Sequence, residues 1–216
     1  MTAPRGVFIV VEGPEGSGKS TLVAGLSLRM LERGIDPVRV REPGGTPVAE
    51  AVRLALLDPK HQVAPLAELF LFLAARADLV ARVIEPSLAD GRVVIADRFA
   101  MSTDVYQGHG RGIDPALVRL ANASAVAGVV PDITLVVDVP AGVGLRRQRD
   151  GGLVLDRLDQ EDIDFHEQVA EAYRAASGPG VVHVDGMVSP EELQDASWEV
   201  LAAREPETFG VVEGSV

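Results

Sequence analysis

The run Val7-Phe8-Ile9-Val10-Val11 leads into Gly13-Pro14-Glu15-Gly16-Ser17-Gly18-Lys19-Ser20-Thr21, and no other stretch restricts the fold as strongly. A short apolar run rich in β-branched residues and bounded by glycines reads as a strand covered on both faces, as in a parallel sheet. The glycines that follow let backbone N–H groups converge on one point. A helix opening near Lys19 adds the positive end of its dipole there. The spacing G-x-x-x-x-G-K-[ST] between strand and helix therefore predicts a phosphate cradle. Lys19 reaches the β and γ phosphates, and the Ser20 hydroxyl is placed to ligate Mg²⁺.

The rest of the chain continues the alternation. Helices are expected from about Lys19 to Arg33, Ala49 to Leu57, Leu66 to Leu88 (broken or kinked by Pro86), Pro115 to Ala127, Ile163 to Ala176 and Glu191 to Ala203. Another helix starts at Gly142 and runs past Gln148 into a polar, glycine-containing loop. Strands are expected at Val38–Val40, Val93–Ala96, Ile133–Val137 and Val181–Val184. Strands alternating with helices indicate an α/β fold with a parallel sheet. With 216 residues, the prior is one domain, taken as residues 1–205, followed by a loose tail over 206–216 that holds Pro206, Gly210 and Gly214.

Charge and composition limit the partners. Twenty Lys+Arg against 32 Asp+Glu give a net charge of −12, which argues against a broad basic face for nucleic acid or an anionic membrane. Small anions remain possible, because they need only a local cluster of donors. The absence of cysteine removes disulfides, thiolate zinc sites and cysteine nucleophiles together. The four histidines are scattered without ligand spacing. His166 is expected to hydrogen-bond within the acidic stretch 156–167, and Trp198 to pack in the core. No apolar stretch is long enough to cross a membrane, and the N-terminus lacks the pattern of a signal peptide, so a cytoplasmic location is expected.

A phosphate loop alone does not choose a reaction. No N-K-x-D guanine-reading motif is present, and the third strand ends Asp97-Arg98-Phe99-Ala100 rather than D-x-x-G. Arginines at several strand ends suit a second anionic substrate. Arg41-Glu42-Pro43-Gly44-Gly45-Thr46 forms a tight loop at the carboxyl end of the sheet, where α/β ligands bind, with Arg53 on the next helix. Phe72 and Arg76 share a helix face, suiting stacking on a base and reading of its carbonyl. Taken alone, Phe72 reads better as core and Arg76 as a surface partner of Asp78 or Glu68. Asp97 can hold Mg²⁺ through water, and Arg98 can take a phosphate bidentately. Ser102, Thr103, Tyr106 and Gln107 follow on one helical turn, with hydroxyl and amide groups suited to a base edge.

Together these segments, with Asp156-Arg157-Leu158-Asp159-Gln160-Glu161-Asp162 and Phe165-His166, resemble the thymidylate kinase family from about residue 7 to 203. The resemblance implies a P-loop NTPase-type three-layer sandwich with a short lid over about 146–157. It implies phosphorylation of dTMP to dTDP by ATP with Mg²⁺, a homodimer, and no nucleic-acid or membrane partner. It places the base on Phe72, Arg76 at the thymine carbonyl, and Arg98 and Arg53 at the acceptor phosphate. Thr103 and Gln107 fall at the pyrimidine edge with Ser102 beside them, and Glu42 joins the substrate set. Glu15 falls near the sugar 3′-hydroxyl and Tyr106 near the 2′ face. The phosphate loop has no arginine before Lys19, so the lid form of the family fits better, with Arg147 and Arg149 as catalytic candidates beside Lys19 and Arg98. The runner-up is another nucleotide or deoxynucleoside kinase of the same fold. A nucleotide-binding regulator without transfer activity would show a broken Lys19, Asp97 or lid, and all three are intact.

Overall fold

The computed structural model describes residues 5–152 and 155–210. Five strands form one parallel sheet: β1 (Phe8–Glu12), β2 (Val38–Arg41), β3 (Val94–Asp97), β4 (Ile133–Asp138) and β5 (Val181–Asp185), in the order β2-β3-β1-β4-β5. The predicted strands are all present. β1 is central and buried along its whole length, which is why it carries no polar residue before Glu12. Register sets Val11 beside Asp97 and Arg41 beside Asp97, so the carboxyl ends of β1, β2 and β3 finish level and their loops share one edge. The chain moves from β1 out to β2, back to β3, and then to the far side of β1. The crevice this reversal opens is where ligands of such sheets bind.

The helices are α1 (Lys19–Glu32), α2 (Pro47–Leu57), α3 (Pro65–Leu79), α4 (Glu85–Ala89), α5 (Ala100–Thr103), α6 (Pro115–Val126), α7 (Ala141–Asp150), α8 (Ile163–Ala175), α9 (Pro190–Arg204) and α10 (Pro206–Phe209). Alternate strand residues face opposite layers. Ile9, Val11, Ile95, Leu135 and Val137 pack with Leu22, Leu26 and Met30 of α1 and Leu201 of α9. Phe8, Val10, Val94 and Ala96 pack with Leu79, Val80, Ile84 and Leu88 on the other face.

Pro86 neither breaks nor sharply ends the long helix. A π turn (Val80–Ile84) joins α3 to α4, and the Glu85 N–H reaches back to the Val80 carbonyl. The widened turn absorbs the proline, whose missing N–H would otherwise leave a gap in the ladder. A second π turn (Asp104–Gly110) follows α5 and carries Tyr106 and Gln107.

The expected tail starts too early. Pro206–Phe209 is a helical turn, and Phe209 is buried against Trp198, ring centroids 5.7 Å apart. Trp198 packs in the core as expected, and Arg29 of α1 and Arg33 just beyond its end stack on the ring at 4.8 and 4.6 Å. Residues 211–216 of the expected tail, and Leu153 and Val154 of the expected lid, lie outside the described residues. Among the described residues, no helix is long and apolar enough to cross a membrane.

Candidate active site

A cavity of about 710 Å³ runs along the carboxyl edge of the sheet. It is lined by the phosphate loop from Glu15 to Thr21, by Arg53, Phe72, Arg98 and Gln107, and by Arg147 at the root of the lid, among others. The size suits a nucleotide-scale ligand.

Its floor is built from the end of β1. Glu12 is fully buried and accepts four hydrogen bonds. Oε1 takes the backbone N–H of Phe99 at 2.8 Å and of Ser102 at 3.1 Å; Oε2 takes the Ser102 hydroxyl at 2.6 Å and the Tyr173 hydroxyl at 2.9 Å. These bonds pin the turn after β3, in which Arg98 adopts φ 74°. That left-handed conformation costs a non-glycine residue about 1–2 kcal/mol, so it persists because the surroundings impose it. It brings the Arg98 fork toward the loop. The guanidinium donates to Glu15 Oε1, the Tyr106 hydroxyl and the Tyr173 hydroxyl, each at 3.0 Å, and to the Gly13 carbonyl and Ser102 Oγ, each at 3.2 Å.

The phosphate loop closes the other side. Gly18 caps α1 at φ 97° with no side-chain cap bond, so the first-turn N–H groups face the loop. Gly16, at φ 65°, lies so close to α7 that a Cβ there would sit 2.0 Å from the Gly144 carbonyl oxygen. Lys19 Nζ donates to the Pro14 carbonyl at 2.6 Å. Burial, then the Arg98 charge, lower Lys19 to about 8 against the partial support of Asp97 and Glu15. A bound phosphate chain adds negative charge beside it and raises it again. Nucleotide binding above about pH 8 is therefore expected to take up a proton, more so as pH rises through that value. Calorimetry in buffers of differing ionisation enthalpy measures this directly, and Lys19→Ala should abolish it.

Ser20 Oγ donates to Asp97 Oδ2 at 2.5 Å, which places two oxygen donors together at the cavity floor. This donor set fits Mg²⁺, which uses few protein oxygens and completes its shell with phosphates and water. Among the described residues, no group of three or more His, Cys, Asp or Glu could form a dedicated metal cage.

At the far end, Arg76 is not a surface residue. It is 1% exposed and commits all five donors: to Glu42 Oε2 through Nε at 2.8 Å and Nη2 at 2.5 Å, to Thr103 Oγ1 at 2.7 Å, to Asn122 Oδ1 at 2.6 Å and to the Phe99 carbonyl at 3.0 Å. It still borders the cavity, but reading a base carbonyl would require it to exchange one of these bonds. Burial raises the Glu42 carboxyl while Arg76 opposes the rise. Thr46 caps α2 by accepting the Ala49 N–H at 3.1 Å. Arg53 donates to the Pro43 carbonyl at 2.9 Å rather than pairing with Glu42. Phe72 is half-buried on the cavity wall, not in the core.

Gln107 Nε2 donates to Glu68 Oε1 at 2.9 Å. Glu68, fully buried, also receives Arg111 and Arg157, the latter at 2.6 Å. Arg157 in turn donates to the Leu56 carbonyl at 2.7 Å, so one carboxylate ties the Gln107 turn, the end of α2 and the segment around Arg157.

The two lid candidates separate. Arg147 borders the cavity and donates to the Gly186 carbonyl at 2.9 Å, whereas Arg149 faces a smaller hollow on the outer side of α7. Glu12, Tyr173 and Glu68 were not singled out from the sequence. A carboxylate closing an all-apolar strand marked Glu12. Glu68 stands at the same i,i+4 spacing from Phe72 as Phe72 does from Arg76, which was a usable signal. Nothing local marked Tyr173.

The thymidylate kinase family model matches residues 11–196. The chain belongs to the thymidylate kinase family. A thymidylate kinase of Cereibacter sphaeroides is 45% identical over 206 residues, spanning 92% of this chain and 95% of that one. One from Pseudomonas entomophila is 46% identical over 174 residues, 80% of this chain and 82% of its own length. The crystal structure of thymidylate kinase from Ehrlichia chaffeensis superposes with a TM-score of 0.74 at 31% identity, covering 92% of this chain and all of that one.

Proposed function

We propose that this chain transfers the terminal phosphoryl group of ATP to the 5′-phosphate of dTMP, releasing ADP and dTDP. The observation that carries the reading, beside the family, is one continuous cavity with a phosphate cradle at one end and the Phe72–Gln107 wall at the other. Arg98 lies between the two and carries a fixed charge.

The acceptor oxygen of dTMP is ionised at neutral pH, so no strong general base is required. The work left to the protein is positioning and charge neutralisation. The loop N–H groups and Lys19 hold the donor phosphates. Arg98 aligns the acceptor phosphate, and Arg53 faces the same space. Phe72 carries the base, while Thr103 and Gln107 stand at its edge. Arg147 supplies positive charge from the lid, and lid closure excludes water as a competing acceptor. Ser20 and Asp97 would hold Mg²⁺, which when bound neutralises charge on the phosphates.

A coupled assay with ATP, Mg²⁺ and a panel of dTMP, dUMP, UMP, CMP, GMP and thymidine tests the reading. Turnover is expected to be highest with dTMP. No dTDP above background would overturn the assignment, and a preference for thymidine would move it to a nucleoside kinase. ATP supply supports a cytoplasmic setting.

The family also points to a homodimer, and the surface supports one. α2, α3 and α6 leave Leu54 74%, Phe70 53% and Leu120 70% exposed, apolar side chains that a second copy could cover. Sedimentation is expected to show a dimer that Leu54→Glu with Leu120→Glu converts to monomer without unfolding it.

A further inference from the structure

Glu15 holds its two carboxylate oxygens in different states. Oε1 accepts from the Tyr106 hydroxyl and from Arg98 at 3.0 Å. Oε2 is buried and has no hydrogen-bond partner among the described residues. A desolvated carboxylate oxygen without a donor is costly, and such groups are rare unless a ligand or water satisfies them. Glu15 borders the cavity, so a donor on a ligand can reach it.

Behind that oxygen, away from the cavity lining, stands His166. Its Nδ1 is 3.7 Å from Glu15 Oε2 and its side chain is 3% exposed. A hydrogen bond with the Asp159 backbone is the partnership within the acidic stretch that the sequence suggested, and Glu15 adds a second partner from the phosphate loop. The ring is held edge-on against Phe165, centroids 5.7 Å apart, in the first turn of α8. His166 Nε2 is likewise buried without a partner among the described residues. The charged groups acting on the ring are Glu15 from the phosphate loop and Asp159 from the segment before α8. Burial lowers the His166 pKa, but these two more than offset it and leave it above the ordinary value. Burial raises Glu15 in turn, yet Arg98, His166 and Lys19 hold it down at about 2. Glu15 thus stays a pure acceptor, with Oε2 3.7 Å from His166 Nδ1.

We propose that His166 is a positioning residue for nucleotide selection: it fixes Glu15 Oε2 as the acceptor for the 3′-hydroxyl of the bound deoxynucleotide. The inference rests on the proposed function, with Glu15 at the sugar as the family resemblance implies. The imidazole restricts rotation of the carboxylate and keeps Oε2 in place. A nucleotide lacking the 3′-hydroxyl leaves that buried oxygen unsatisfied and is disfavoured.

The test compares dTMP with its 3′-deoxy analogue in wild type, Glu15→Gln, His166→Phe and His166→Gln. Melting curves confirm that each variant folds. Phenylalanine keeps the ring against Phe165, and glutamine keeps a donor near Glu15. His166→Phe is expected to raise KM for dTMP at least fivefold with kcat little changed, and to leave KM for the 3′-deoxy analogue unmoved. His166→Gln should recover part of the preference. Equal effects on both nucleotides, or none on either, would overturn the role of His166. If Glu15→Gln erases the preference while His166→Phe keeps it, Glu15 reads the hydroxyl and only the His166 proposal fails. A Glu15→Gln variant that keeps the preference would overturn both the sugar contact and this inference. Absence of turnover with dTMP in wild type would overturn the function itself.

Discussion

Lys19→Ala is expected to lower kcat by about a thousandfold or more while leaving the melting temperature of the nucleotide-free protein almost unchanged. The two effects separate because of what Lys19 does in the fold. Its ammonium is buried, its main bond is to the Pro14 carbonyl 2.6 Å away, and burial already pushes its pKa down to about 8. A charge that burial disfavours adds little to stability, so removing it relieves a desolvation cost as it removes one bond. In the reaction the same charge faces developing negative charge on the transferred phosphoryl group, in a site that water has left. Steady-state kinetics with dTMP and ATP, beside a thermal melt, checks both halves. A variant that loses activity only in proportion to lost fold would overturn the catalytic role.

Arg98→Ala is expected to behave differently. Activity should again fall by about a thousandfold or more, but stability should fall too, by about 3 kcal/mol. The guanidinium is bonded to Glu15, Tyr106, Tyr173, Ser102 and the Gly13 carbonyl. Its removal leaves Glu15, 9% exposed, without its main counter-charge. Burial then counts for more, and the Glu15 carboxyl rises from about 2 toward its ordinary value. The sign follows. A carboxyl held low in the fold contributes stability above its unfolded pKa and loses it as pH falls through the folded value. Wild type should therefore hold this contribution in full above about pH 5 and lose it progressively as pH falls toward the folded value, and the variant should lack most of it at neutral pH. Arg98→Lys keeps the charge but not the fork, so it should recover more stability than rate. Denaturant unfolding at pH 7 and pH 4 measures these differences.

The Arg98 case shows where sequence reasoning stops. Asp97-Arg98-Phe99 after a buried strand marked a functional strand end, and the β-branched runs at residues 7–11, 93–96 and 133–137 marked the sheet. Those signals are local, and local signals survived. Arg98 as a structural hub was not legible, because its distant partners are residues 13, 15, 106 and 173, which only the tertiary fold brings together. The same holds for Arg76. Its i,i+4 spacing from Phe72 placed both on the cavity side of α3, but not its commitment to Glu42, Thr103 and Asn122. The π turns at 80–84 and 104–110 were hidden for another reason. They shift the hydrogen-bond ladder by one residue without changing the apolar pattern, so periodicity alone cannot register them. Arg147 and Arg149 looked equivalent because their spacing says nothing of which face of α7 meets the cavity.

The chain has one tryptophan and two tyrosines, and the fold sorts them. Trp198 is clamped between Arg29, Arg33 and Phe209 and does not line the cavity, whereas both tyrosines bond to Arg98. The molecule thus carries two separate optical reporters. Indole emission follows the docking of α10 and the integrity of the α1–α9 layer, and stays quiet when nucleotide binds. Phenol difference absorbance follows the polar network beneath the acceptor phosphate. Folding and ligand occupancy can be followed in one cuvette without adding a label.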